Sequence, residues 1–158
     1  MKTFVMAAVA ATFIASPVLA ANSFTGVRAE VTAGADSVRG GVDPSDITYG
    51  VGAGLDAELY KNVIVGVEAN LDNVFDRRNV GVAVRTGYVV GDKVLVYAKA
   101  GYANWKQTTT TELEGLRVGG GVEVNVTKKI YGGLEYRYTD FNRGVGQHGA
   151  LVRIGTRF

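Results

Sequence analysis

His148 is the single histidine of the chain, eight residues after Asp140 and next to Gly149. Acyl transfer or hydrolysis needs a nucleophile, a base and an orienting group within mutual reach. One histidine in a polar loop supplies only one of these parts, so it reads as a solvent-facing residue. The chain is expected not to be an enzyme. Asp36, Asp43, Asp46, Asp72 and Asp76 could gather a divalent cation with their hard oxygen ligands, but the plainer reading is solvated loop charge. Gly50-x-Gly52-x-Gly54 and Gly119-Gly120-Gly121 lack G-x-G-x-x-G spacing and a following helix, so they are small wall residues, not phosphate cradles. With no cysteine, thiolate metal sites, cysteine nucleophiles and disulfide scaffolds are excluded. No metal or cofactor is expected. Seventeen Lys and Arg against fifteen Asp and Glu is too even a balance to indicate nucleic acid.

The remaining charges carry the pattern. Ala150, Val152, Ile154, Thr156 and Phe158 alternate with Leu151, Arg153, Gly155 and Arg157. A period of two makes this a β-strand with one apolar and one charged face. The same alternation recurs at 24–33, 48–59, 63–71, 80–88, 94–102, 116–126 and 130–139, giving eight strands. Short turns (60–62, 91–93, 127–129) alternate with longer polar connections (34–46, 72–78, 105–114, 140–148). With 22 glycines, two prolines and eight tyrosines, the composition favours strands over helices.

Residues 1–20 have a short basic start, an apolar run from Phe4 to Ile14 and small residues ending at Ala20. This is the form of a secretory signal peptide cleaved after Ala20. The expected domains are therefore 1–20, the signal peptide, and 21–158, one barrel. No other segment approaches the ~20 apolar residues of a spanning helix. Strands of about ten residues are long enough to cross a bilayer when tilted.

Within the strands the charges share the glycine-bearing face: Arg28, Glu30, Asp56, Glu58, Glu68, Arg85, Lys99, Arg117, Glu123, Glu135, Arg137, Arg153 and Arg157. Seven are basic and six acidic. A soluble barrel would need apolar inside and polar outside. Here the arrangement is inverted, which suits an apolar wall against lipid and a closed ladder with no unpaired backbone. The expected fold is all-β, an eight-stranded antiparallel up-and-down transmembrane β-barrel. Eight strands leave room only for side chains, so the lumen is expected to be filled by a charge network. Tyr49, Tyr88, Tyr102, Trp105, Tyr136, Tyr138 and Phe158 are expected in the interfacial aromatic girdles.

Gly26-x-Arg28-x-Glu30, Tyr49-Gly50-x-Gly52-x-Gly54, Gly66-x-Glu68, Tyr97-x-Lys99-x-Gly101-Tyr102, Gly119-x-Gly121-x-Glu123, Leu134-Glu135-Tyr136-Arg137-Tyr138 and the Arg157-Phe158 end resemble the small opacity-type outer-membrane β-barrels of proteobacteria, grouped with OmpA-like barrels. The resemblance implies an outer-membrane location and a last strand, ending in Phe158, that is read by the barrel-assembly machinery. No peptidoglycan-binding domain is expected after the barrel, unlike in larger OmpA-like proteins, so tethering by that route is not expected either. Expected partners are outer-membrane lipid and lipopolysaccharide, whose phosphates Arg77, Arg78 and Arg143 could meet, and a host or surface receptor through the loops. The expected function is a non-enzymatic envelope-structural and surface-interaction barrel. The alternative is a narrow porin-like channel for small solutes.

Overall fold

The computed structural model describes residues 23–38, 47–73, 78–108, 111–141 and 145–158. Residues 1–20 with Ala20, and Asp43, Asp46, Asp76, Arg77 and Arg143, lie outside the described residues. Eight strands follow in chain order: β1 Gly26–Val38, β2 Ile47–Tyr60, β3 Val63–Asp72, β4 Asn79–Val90, β5 Val94–Thr108, β6 Thr111–Asn125, β7 Ile130–Phe141 and β8 Val145–Arg157. Each pairs antiparallel with its chain neighbour, and β1 pairs with β8, from Arg28 opposite Arg157 to Val38 opposite Gln147. Closure removes the sheet edges, so the wall needs no water to satisfy its ladder.

Alternation decides which side chain meets which medium. On β1 Val31 is 57% exposed while Arg28 is fully buried, and the other strands repeat the division. Val27, Val82, Val84, Leu134, Val152 and Ile154 form part of the outward wall, an apolar surface that only lipid would stabilise.

The strands run further than periodicity suggests, chiefly at the end opposite Phe24 and Phe158. Gly34–Val38, read from sequence as loop, continues β1 and pairs with β8. Residues 105–114, expected as a long connection, are mostly a hairpin in which Trp105 pairs Leu113 and Lys106 pairs Glu112. Threonine and aromatic residues favour extended backbone, and a partner strand outweighs their polarity. The long–short alternation of connections is correspondingly lost there: β5 and β6 are separated by residues 109–110 alone. At the other end the turns are tight. Asn62 has a φ of 65° and Gly91 of 62°, left-handed conformations that asparagine and glycine tolerate best.

Candidate functional site

Every strand sends charge into the lumen. Arg28 hydrogen-bonds Glu30 at 3.0 Å and Glu68 at 2.6 Å, and its guanidinium lies 3.1 Å from Asp56 as an ion pair. Arg85 grips Asp56 with two nitrogens, at 2.8 and 2.6 Å, and reaches Glu123 at 2.5 Å. Lys99 bridges Glu68 at 2.5 Å and Glu135 at 2.6 Å. Arg153 pairs with Glu30 and Glu135 and lies 3.5 Å from Glu68. Arg157 pairs with Glu123 and, at 2.9 Å, with Asp56. These ten residues form one connected lattice of five cations and five anions, all buried.

Two tyrosines complete it. Tyr97 lies between Arg85 and Arg153, whose guanidinium carbons are 5.0 and 5.4 Å from its ring centre. Its hydroxyl donates to Glu135 at 2.8 Å. The Tyr131 hydroxyl donates to Glu30 at 2.6 Å, under the Arg157 guanidinium at 4.7 Å. Both tyrosines share strand parity with the charges, which is the signal that would have included them. Glycine makes the space. A Cβ at Gly54 would lie 2.7 Å from Arg28 Nη2, and one at Gly52 2.8 Å from Glu30 Oε1.

A second tier lies nearer the long connections. Arg137 bonds Asp72 at 2.8 Å and Asp36 at 3.1 Å. Arg117 donates to Thr139 at 2.9 Å and to Asn79 at 3.2 Å, with Asp72 at 3.8 Å. Asp36 and Asp72, expected as solvated loop charge, are buried lumen residues. They keep the inward parity of β1 and β3, and the longer strands carry them inside. Glu58 is placed at the opposite mouth, half-buried, where it accepts a hydrogen bond from the Asn62 amide at 3.0 Å. Counting both tiers, the buried charges among the described residues are seven basic and seven acidic.

Apolar groups close both ends. Phe24, Ile64, Val89, Leu95 and Tyr97 cluster beside the tight turns. Ala103, Trp105, Leu113 and Phe141 cluster at the other end. Trp105, expected in the lipid-facing girdle, points inward and packs on Phe141 with ring centres 5.6 Å apart. Its place in β5 has the parity of Lys99. Tyr49, Tyr88, Tyr102, Tyr136 and Phe158 are exposed on the outward wall.

His148 is on β8, not in a loop. It lies on the outward face, half-buried, 2.5 Å from the Tyr136 hydroxyl and 4.8 Å between ring centres from Tyr138. Ser37 stands opposite it in register, but its buried hydroxyl has no hydrogen-bond partner among the described residues. Ser37 and His148 therefore form no nucleophile–base contact. Among the described residues, no group of three or more His, Asp or Glu could hold a metal ion.

The fold is that of known outer-membrane barrels. The attachment invasion locus protein Ail of Yersinia pestis superposes with a TM-score of 0.63 at 13% identity, covering 85% of this chain and 97% of Ail. Neisserial surface protein A gives 0.55 at 15% identity, covering 84% and 96%. The outer membrane enzyme PagL gives 0.58 at 12% identity, covering 83% and 99%. No curated protein matches the chain in sequence. The family model of the outer membrane protein β-barrel domain matches residues 6–158. An inverted barrel with a charged lumen and an apolar wall, matched over this length, belongs to the outer membrane protein β-barrel family and resides in the outer membrane.

Proposed function

We propose that this protein is a non-enzymatic envelope barrel with a closed lumen, which stiffens the membrane and presents its far-end loops for surface interaction. The observation that carries this reading is the ten-residue lattice contributed by all eight strands, with five cations and five anions interleaved across the lumen. An ion passing through would have to break several desolvated pairs at once, each costly to open. The fold shared with Ail, which was solved with the heparin analogue sucrose octasulfate, supports a surface-interaction role.

A second reading, a narrow passage for small solutes, is favoured by the upper tier. There Thr32, Thr48, Arg117 and Gln147 each hold a buried polar atom without a partner among the described residues. Single-channel recording on refolded Ala21–Phe158 separates the two. A folded barrel, verified by heat-dependent gel mobility, is expected to be electrically silent. Steady, reproducible conductance would favour the passage.

A further inference from the structure

Topology gathers three turns, 61–62, 91–93 and 126–129, at one end of the barrel. Each carries lysine: Lys61, Lys93, and the pair Lys128 and Lys129. All four are exposed, and none makes an ion pair among the described residues. Among the described residues the acidic groups at this end are Asp92, exposed beside Lys93, Glu58, half-buried on the Asn62 amide, and the carboxylate of Phe158, three against four lysines. Behind them the lumen is neutral, so nothing there cancels the excess positive charge.

The ring is also held in shape. Asn125 N donates to Lys93 O at 2.9 Å, which ties the second turn to the third. Arg157 N donates to Lys129 O at 2.8 Å, which ties the third to the last strand. Thr127 Oγ1 accepts from the Lys129 and Ile130 amides at 3.2 and 2.9 Å. Each lysine lies within two residues of the outward apolar wall: Tyr60 precedes Lys61, Val94 follows Lys93, and Val126 and Ile130 flank Lys128 and Lys129. Tyr60, Val126, Ile130 and Phe158 are all exposed on that rim.

A lysine at the edge of an apolar wall lays its stem along hydrocarbon and lifts its ammonium to the level of lipid phosphates. By the short-turn rule for outer-membrane barrels this is the periplasmic end. We propose that Lys61, Lys93, Lys128 and Lys129 form a ring that binds the phosphate headgroups of anionic lipid in the leaflet at this end, setting the depth of the barrel. A soluble polyanion would satisfy the same charges, but the positions beside the apolar rim favour lipid.

The test reconstitutes the refolded barrel in phosphatidylcholine vesicles carrying spin-labelled phosphatidylglycerol or spin-labelled phosphatidylcholine. Electron paramagnetic resonance then measures the motionally restricted fraction of each. The wild-type barrel is expected to favour phosphatidylglycerol by about fivefold, the contribution of one near-surface lysine, a preference lost in ~1 M salt, where the Debye length falls to about 3 Å. Changing all four lysines to glutamine should bring the ratio to near one, while changing all four to arginine should retain it. Salt dependence in the wild type decides the matter if the glutamine variant does not fold. An undiminished ratio in the glutamine variant overturns the proposal. So does a wild type with no lipid preference that instead binds soluble polyphosphate through these lysines.

Discussion

Arg153 touches more of the lattice than its neighbours: two carboxylates pair with it, a third lies at 3.5 Å, and the Tyr97 hydroxyl accepts from it. Removing one partner of a buried pair strands the other charges, which costs about 3–5 kcal/mol. Arg153→Ala is therefore expected to lower stability by that amount in urea unfolding followed by gel mobility. Arg78→Ala, at an exposed arginine, is expected to stay within about 0.5 kcal/mol. Equal effects would mean that the lattice does not support the fold. Gly54 makes the complementary case. A methyl group there must displace the Arg28 guanidinium or the wall, so Gly54→Ala is expected to destabilise by about 1–3 kcal/mol.

At the scale of elements, the hairpin of β5 and β6 explains most of what periodicity misplaced. Its outer part carries Trp105 and Leu113 over the end of the lumen, against Phe141. Trp105 is the only tryptophan, so its fluorescence reports on this hairpin alone. Lipids brominated on the acyl chain are expected to quench it weakly, because the indole faces inward. The double substitution Trp105→Phe with Tyr102→Trp moves the reporter to the lipid face, where strong quenching is expected. Strong quenching of the unaltered protein would return Trp105 to the girdle. Trp105→Ala should also cost about 3–5 kcal/mol, as for other buried aromatic truncations.

For the whole molecule, stability and permeability are linked through the same lattice. The lumen is divided into an apolar seal, a neutral tier of ten charges, a smaller neutral tier and a second apolar seal. Replacing Glu123 by Ala removes the anion shared by Arg85 and Arg157. The expected outcome is a less stable barrel that conducts intermittently in a planar bilayer while the parent is silent. A destabilised but still silent variant would assign the closure to the apolar ends.

The sequence alone determined the number of strands, their two faces and the medium on each side. Side-chain period and the polarity of the two faces are local properties, and closure follows because no edge survives in lipid. The charges of Arg28, Glu68, Arg85 and Arg153 were legible for the same reason. Tertiary structure alone decided where strands stop and which charges meet. Asp36 and Trp105 occupy positions whose local composition reads as loop, and only pairing with β8 and β6 extends the ladder to them. Arg153 and Glu30 are 123 residues apart in the chain, and their contact exists because β8 closes on β1.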